Sequence, residues 1–326
     1  MLKLISKSGE FTQLLVFLVI AAIFWIPAFT YPVTPMRLPL EGPLFDWLIQ
    51  LTAYSPAISL SVELGFVIFV AVLLNMILIS NDLIQRKNLL PAILTVLLLS
   101  WNHSLQALNP VVPGSFFVLI SIFYLLTAYN VQSPFKQLFT AGIMIGVASM
   151  FYLPFMILIF GLFFSLLTLR INSVREWSIP LIAFSLPFIY WISVAYLLDK
   201  PFPLSGVARK TGFQFMFINE LRSSAIYWVA ACWLFLLITL FAAVNQLNAK
   251  LISIRRKMYI IIDFLFIAVL ILSSSGHVFL IVNSLIILFM SAFFAVYIDN
   301  NKRTGILDIL LTVFTISLVL LRFMKL

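Results

Sequence analysis

Long uninterrupted apolar runs, separated by short polar segments, fill most of this 326-residue chain. A helix needs about 20 mostly apolar residues to cross a bilayer, whereas a membrane β-strand alternates apolar and polar positions. The pattern therefore predicts an all-α, polytopic transmembrane helical bundle, with residues 1–326 forming a single integral membrane domain. We predict ten or eleven membrane segments, at residues 12–30, 56–80, 89–101, 111–129, 139–153, 155–170, 178–198, 225–245, 258–274, 277–297 and 305–322.

Two regions of this pattern are too short to cross a bilayer cleanly. One is the run 89–101, and the other is the pair of segments that flank Pro154. Both are compatible with short helices or with hairpins that meet in mid-membrane. The sequence therefore leaves the parity of the spans open.

The composition narrows the class of protein. An apolar share of 63% and a charged share of 10% leave too little polar surface for a water-soluble fold. Soluble enzymes and nucleic-acid-binding proteins are excluded, so no nucleic acid is expected as a partner. The net charge of +9 is expected to reflect inner loops rich in Lys and Arg, which set membrane orientation. The single cysteine, Cys232, excludes an intrachain disulfide and a cysteine-based metal site.

With the N-terminus on the inner side of the membrane, the two longest segments between spans are both expected on the outer face. These are residues 31–55 and 199–224. In the first, Gly42 and Pro43 mark the start of a short helix in the membrane interface. Glu41 precedes this helix and Asp46 lies within it, so the two carboxylates are expected to lie close together.

Helical spacing divides this short helix into two faces. Asp46 and Gln50 are expected toward water or a cavity. The face toward lipid or the bundle is expected to carry Leu44, Trp47, Leu48 and Leu51. Asp46 is the first candidate catalytic residue and Glu41 the second, as a general base that takes a proton from an acceptor hydroxyl. In the alternative interpretation Glu41 only favours the helix N-terminus and Asp46 is a solvated interfacial residue.

The second outer segment is basic and aromatic. Gly206 and Gly212 flank the pair Arg209 and Lys210, and the block FQFMF follows. Arg can bind two phosphate oxygens and Lys adds a point charge, so the pair is a candidate binding site for a lipid phosphate. Nonspecific attraction to anionic membrane lipids is the alternative.

Three further residues are candidates for a polar cavity. Glu63 lies about seven positions inside the second segment, roughly 10 Å deep by helical rise. An intramembrane carboxylate faces a cavity or a partner, and a neutral Glu hydrogen-bonded between helices is the alternative. His103 and His277 both fall on the predicted outer face, without the spacing of a metal-binding motif. We therefore predict no metal site, and hydrogen bonding in the cavity or simple interface placement for both histidines.

Other polar residues in the apolar runs are expected to be structural. Asp263 and Asp308 lie near the predicted inner interface, where water or basic loops are within reach. Gln13, Asn75 and Asn283 are candidates for hydrogen bonds between helices.

Four segments carry a family resemblance: the first helix, PLEGPLFDWLIQL in the first outer segment, AGIMIGVASMFYLP at 141–154 and VREW at 174–177. Together they resemble an uncharacterised family of polytopic bacterial inner-membrane proteins from Bacteroidota. The resemblance spans most of the chain and implies a membrane location, but it implies no reaction.

The acid-bearing first outer segment with its interfacial helix, followed by a many-helix bundle, is also similar to the GT-C glycosyltransferases. These enzymes move a sugar from a polyprenyl-phosphate donor to an acceptor on the outer face. The resemblance implies that Asp46 or Glu41 is the carboxylate of the reaction, and that Arg209 and Lys210 stabilise the departing lipid phosphate. The chain departs from the family pattern because its first segment lacks an adjacent Asp-Asp or Asp-Glu pair.

The sequence thus predicts a transferase that acts on a polyprenyl-phosphate-linked sugar, in contact with membrane lipids. It needs no soluble cofactor, and a divalent cation is compatible with it. Two other classes stay open. One is a noncatalytic subunit or scaffold with partners in an envelope-assembly or secretion complex, and the other is a lipid-linked-sugar flippase.

Overall fold

The computed structural model describes residues 10–38, 40–52, 55–84, 88–101, 103–171, 173–199, 225–247, 251–273 and 279–300. Every regular element within these ranges is helical. In chain order the α-helices are α1 (Glu10–Thr30), α2 (Pro43–Leu51), α3 (Pro56–Ser80), α4 (Leu90–Ser100), α5 (His103–Gln106), α6 (Val111–Thr127), α7 (Phe135–Phe151), α8 (Leu158–Leu169), α9 (Val174–Leu197), α10 (Ala225–Leu247), α11 (Ile252–Ser273) and α12 (Phe279–Asn300). A 3₁₀ turn, Leu153–Ile157, joins α7 to α8.

Helices occupy the first ten predicted segments, and the eleventh, 305–322, lies outside the described residues. Within the described part of the chain, four helices are long and apolar enough to cross a membrane. They span Phe11–Thr30, Pro56–Ser80, Val174–Leu197 and Ile281–Asp299. The other apolar helices are shorter, so the total number of crossings stays a prediction.

The short helix α4 lies at the centre of the bundle. All of its residues are buried, as expected for a short helix that is apolar on every side and enclosed by other helices. It packs against α1, α3 and α12. Thr95 of α4 and Ser291 of α12 join their hydroxyls at 2.9 Å in this interior. The run 89–101 is therefore a buried short helix, one of the two forms predicted for it.

Helix α9 is fixed to α7 through two glycines. A Cβ on Gly142 would lie 2.5 Å from the Pro180 carbonyl oxygen, and one on Gly146 would lie 2.6 Å from that of Phe184. Small residues let helix backbones approach this closely, and the approach allows tight van der Waals packing in a membrane. Only three residues of α9 are buried, Pro180, Ala183 and Ala195, and the rest are exposed or partly exposed, as expected for a helix that faces lipid.

The chain breaks its helical path at the predicted place, next to Pro154. Helix α7 ends at Phe151, and Tyr152 adopts an extended conformation with φ −137° and ψ 108°. Pro154 then stands at the start of the 3₁₀ turn, where its missing N–H group costs no helical hydrogen bond. The break leaves backbone groups of 151–153 free to bond with another segment.

Two of the predicted hydrogen bonds between distant segments are present. The Leu89 N–H donates to Oε1 of Gln13 at 3.0 Å, and Nε1 of Trp233 donates to Oδ1 of Asn283 at 3.1 Å. Asn75 is also buried, but its Oδ1 has no partner among the described residues.

Asp263 has a structural contact, as predicted. Its Oδ2 accepts a hydrogen bond of 3.0 Å from Oγ1 of Thr168, which joins α11 to α8. Asp308 lies outside the described residues.

Candidate functional site

The acid-bearing segment and two distant turns meet at one end of the bundle, which we call the first-loop end. It consists of residues 31–38, 40–52, 107–110 and 151–153. The Met36 N–H donates to the Leu108 carbonyl at 2.8 Å, which fixes the beginning of the first loop to the turn before α6.

The second half of the loop is fixed to the break after α7. The Gly42 N–H donates to the Phe151 carbonyl at 2.8 Å, and the Leu153 N–H donates to the Leu40 carbonyl at 3.0 Å. Together they form one isolated antiparallel bridge between Glu41 and Tyr152. The free backbone groups of the break are thus satisfied by the loop, and the position of Glu41 is set by the backbone.

Gly42 is required at this contact for steric reasons. A Cβ at this position would lie 2.1 Å from the carbonyl oxygen of Met150. Any side chain would therefore push the loop away from α7.

Helix α2 begins at Pro43, as predicted, and rests on an apolar cluster. Phe45 and Ile49 are buried, and they form this cluster with Leu108 and Phe151. The loop helix is thereby bound to the same two turns that hold the loop backbone.

The predicted apolar face of α2 is only partly the buried one. Leu44 and Leu48 pack against the cluster, whereas Trp47 and Leu51 are exposed. The prediction left out Phe45 and Ile49, because helical spacing alone does not show which residues the rest of the bundle will cover. Exposed Trp47 and Leu51 fit a helix that lies in the membrane interface.

One guanidinium joins the two candidate carboxylates. Nη1 of Arg37 donates to Oε1 of Glu41 at 2.7 Å and to Oδ1 of Asp46 at 2.9 Å. The Leu38 N–H also donates to Oε2 of Glu41 at 3.3 Å. The prediction that Glu41 and Asp46 lie close together is confirmed, and Arg37 is the reason that two like charges are tolerated there.

The two acids differ in their access to solvent. The Glu41 side chain is 15% exposed, whereas those of Asp46 and Arg37 are 46% and 50% exposed. Burial raises the pKa of the Glu41 carboxyl above its usual value, although the charge of Arg37 opposes the rise and that of Asp46 adds to it. Glu41 is therefore the enclosed member of the pair and Asp46 the accessible one.

Sequence reasoning did not single out Arg37. It is the only basic residue in residues 31–55 and stands four positions before Glu41. Its charge and this spacing could have indicated an ion pair between Arg37 and Glu41. The nine-residue separation from Asp46 gave no such indication, because it depends on the chain reversal at Gly42.

Glu63 lies in the interior of this end of the bundle, and its residue is 0% exposed. Its Oε1 accepts a hydrogen bond of 2.9 Å from Nδ2 of Asn109, while its Oε2 has no partner among the described residues. A buried carboxylate is costly unless its charge is compensated or absent. This hydrogen bond joins α3 to the turn that precedes α6.

Asn109 connects Glu63 to the first loop. Its Oδ1 accepts from the N–H groups of Val111 and Val112 at 3.1 and 3.2 Å, which satisfies the free donors at the start of α6. The preceding residue is Leu108, whose carbonyl binds Met36. The buried pair and the Arg37 site therefore share one turn of the chain.

The remaining predicted site residues are not placed by the described structure. His103 begins α5, and its side chain lies outside the description. Arg209, Lys210 and His277 fall outside the described residues. The described part of the chain contains no group of three or more His, Cys, Asp or Glu that could hold a metal ion. Arg37 stands between Glu41 and Asp46, where a cation shared by the two acids would have to bind.

The fold is similar to that of one solved structure, ArnT from Cupriavidus metallidurans bound to undecaprenyl phosphate. The TM-score is 0.59 at 11% sequence identity, over 92% of this chain and 61% of that chain. This chain thus spans about three fifths of the length of that protein. No protein-family model and no curated protein matches the sequence. The likeness shows that the two proteins share a fold over this region.

Proposed function

We propose that this chain is a membrane glycosyltransferase that moves a sugar from a polyprenyl-phosphate donor to an acceptor on the outer face of a bacterial inner membrane. The observation that carries the proposal is the pair of carboxylates, Glu41 and Asp46, which Arg37 gathers at the first-loop end. The similar solved structure was bound to undecaprenyl phosphate, which supports a donor of the same chemical class.

The surroundings of the two acids favour different roles for them. Asp46 is the general base, because its half-exposed carboxylate is open to an acceptor hydroxyl. Glu41 holds Arg37 and the loop backbone in place, because it is largely enclosed and takes hydrogen bonds from both. This assignment keeps Asp46 as the first choice and Glu41 as the second.

The reaction is a direct displacement at the anomeric carbon of the sugar. Asp46 takes the proton of the acceptor hydroxyl, and the acceptor oxygen forms a bond to the anomeric carbon. The bond between this carbon and the phosphate oxygen breaks, and polyprenyl phosphate leaves with the bonding electrons. A cation near the phosphate stabilises the developing negative charge.

Three cations are proposed for the phosphate. Arg37 uses Nη1 for the two acids, and its other N–H groups can donate to phosphate oxygens. Arg209 and Lys210 are proposed to bind the same phosphate from the second outer segment. His103 and His277 are proposed to line the cavity that receives the sugar, and the buried Glu63 is proposed to support its wall through the hydrogen bond to Asn109.

Lipid that copurifies with the full chain in mild detergent tests the donor site. Mass spectrometry should find a polyprenyl phosphate or its sugar conjugate on the wild type, and Arg209→Ala with Lys210→Ala should lose it. The matched control is the other basic pair, Arg86→Ala with Lys87→Ala, which lies in a predicted inner loop and should retain the lipid.

Bulk phospholipid alone in all three samples would contradict the donor site. A protein that copurifies at fixed stoichiometry in the same samples would then favour a noncatalytic subunit or scaffold.

A further inference from the structure

At the end of the bundle opposite the first loop, a cavity of about 260 Å³ opens between three helix ends. It lies between the end of α6, the end of α8 and the first turn of α9, and its lining includes Tyr129, Gln132, Arg170 and Glu176. We call it the Arg170 cavity. It is separate from the Arg37 site, and the proposed reaction does not use it.

The charges in the Arg170 cavity are not paired with each other. Arg170 and Glu176 form no ion pair with any described residue, although both line the same space. Ser173 donates its hydroxyl to Oε2 of Glu176 at 2.5 Å, which leaves Oε1 for another donor. Among the described residues, the open cavity thus carries one unpaired guanidinium and one carboxylate, which suits a ligand with both an anionic and a cationic group.

The walls of the cavity are held in place by their own contacts. Ser173 and Glu176 form a capping box, because the Glu176 N–H also donates to the Ser173 hydroxyl at 3.2 Å. The ring of Trp177 stacks on that of Phe163 in α8, with the ring centres 5.4 Å apart. Its Nε1 donates to the Ile171 carbonyl at 2.8 Å. Within the segment VREW, Glu176 thus lines the cavity and Trp177 holds the start of α9 against α8.

The neighbouring arginines are engaged elsewhere. The Arg175 guanidinium lies 4.4 Å from the ring centre of Phe135, and that of Arg256 lies 5.7 Å from the ring centre of Tyr129. Arg256 therefore adds positive charge behind one wall, whereas Arg175 is held on a ring that does not line the cavity.

The depth of the cavity indicates that its ligand is a lipid. Glu176 lies in the first turn of α9, a helix long enough to cross the membrane, so the cavity lies at the level of lipid head groups. Close to this level, α8 exposes Leu167 and α9 exposes Leu181 and Ile182, each by more than half. Exposed apolar side chains on both helices can contact the acyl chains of a lipid whose head group occupies the cavity.

We propose that the Arg170 cavity binds the head group of a phospholipid that carries a primary ammonium, of the phosphatidylethanolamine class. Arg170 binds the phosphate, and Glu176 accepts hydrogen bonds from the ammonium group. A phosphatidylcholine head group has no ammonium N–H to donate, and a phosphatidylglycerol head group has no positive charge for Glu176. Both are therefore bound more weakly.

Native mass spectrometry of the delipidated full chain tests this site, with phosphatidylethanolamine, phosphatidylglycerol and phosphatidylcholine added in turn. We expect the wild type to bind phosphatidylethanolamine about tenfold more tightly than the other two, a difference of about 1.4 kcal/mol. Free phosphoethanolamine is expected to bind at least tenfold more weakly than the lipid, since it lacks the acyl chains. Equal affinity for the free head group would overturn the lipid as the ligand.

Variants that preserve the local fold test the phosphate contact of Arg170 and the ammonium contact of Glu176 separately. Arg170 has φ 60°, a conformation that Asn tolerates, so Arg170→Asn should lower phosphatidylethanolamine binding about tenfold without strain. Glu176→Gln keeps the capping box and should abolish the preference for phosphatidylethanolamine over phosphatidylglycerol.

Arg175→Gln is the matched control and should bind like the wild type. Equal loss in Arg175→Gln and Arg170→Asn would show nonspecific attraction by surface charge and overturn the proposal. Unchanged lipid preference in Glu176→Gln, or no preference in the wild type, would overturn it as well.

Discussion

In the described part of the chain, charged side chains form ion pairs at one end of this bundle and stay unpaired in the cavity at the other end. At the first-loop end, one guanidinium holds two carboxylates, and backbone hydrogen bonds tie the loop to 108 and to 151–153. In the Arg170 cavity, Arg170 and Glu176 face one open space without an ion pair to any described residue. The paired charges hold in place the loop that carries the proposed base, whereas the unpaired charges of the cavity are each open to a ligand.

The two ends also differ in the contacts that support them. Under the first loop, Glu63 and Asn109 form a buried polar contact that leads back to the loop through Leu108. Around the Arg170 cavity, the supporting contacts are a capping box and stacked aromatic rings. The first-loop end is therefore the more vulnerable of the two to a single substitution, because buried polar groups are costly to leave unpaired.

The largest effect on stability is expected for Asn109→Ala. The substitution leaves the Glu63 carboxylate without its donor and removes the acceptor for two N–H groups at the start of α6. We expect a loss of about 2 to 4 kcal/mol in the free energy of unfolding, measured by denaturation in mixed micelles.

Glu63→Gln is the control for this prediction. Its amide oxygen can still accept from Asn109, so a loss under about 1 kcal/mol is expected. If Glu63→Gln costs as much as Asn109→Ala, the buried carboxylate has a role beyond this hydrogen bond.

Much of this end could be predicted from local sequence. The start of α2 at Pro43 and the helix break beside Pro154 follow from the fixed φ and the missing N–H of proline. The proximity of Glu41 and Asp46 follows from their separation of five residues across a helix start.

Apart from Arg37, the missed features depend on contacts between distant parts of the chain. Asn109 is separated from Glu63 by 46 positions, and Phe151 lies more than 100 positions beyond Phe45. No periodicity within α2 shows that Leu108 and Phe151 will cover Phe45 and Ile49. The burial of α4 likewise depends on the helices that surround it.

Gly42→Ala should produce the next largest effect. The added Cβ meets the Met150 carbonyl oxygen at 2.1 Å, so the loop must move away from α7. We expect a loss of about 1 to 3 kcal/mol in the free energy of unfolding.

Gly65→Ala offers a matched control within α3, because a Cβ there meets no atom within 4 Å. Alanine is favoured over glycine in a helix interior by roughly 0.5 to 1 kcal/mol, so this variant should be stabilised. The same sign of change in both variants would contradict the steric account of Gly42.

Arg37→Gln should have a smaller effect on stability, because the side chains of Arg37 and Asp46 are about half-exposed. Surface ion pairs contribute about 0.2 to 1 kcal/mol each, and salt screens them. The melting temperature of the variant should fall below that of the wild type at low salt, and the gap should narrow at high salt. A gap that does not depend on salt would show that Arg37 acts through packing and not through charge.

The smallest effect is expected from the pH dependence of Glu41. Burial raises the pKa of its carboxyl in the folded state, so its contribution to stability is fully present below its unfolded pKa. That contribution is lost as the pH rises through the folded pKa. The melting temperature of the wild type minus that of Glu41→Gln should therefore decrease from acidic to neutral pH. An increase over the same range would show that attraction to Arg37 outweighs burial.

The most direct test of the account is the rate at which the full chain, in nanodiscs, releases polyprenyl phosphate from a panel of polyprenyl-phosphate sugars. We expect release by the wild type and a loss of about 10² to 10⁴-fold in Asp46→Asn, the range typical of a general base. Asp82→Asn, which changes an exposed acid at the opposite end, should keep the wild-type rate. Release by Asp46→Asn at the wild-type rate would contradict the assignment of Asp46 as the base.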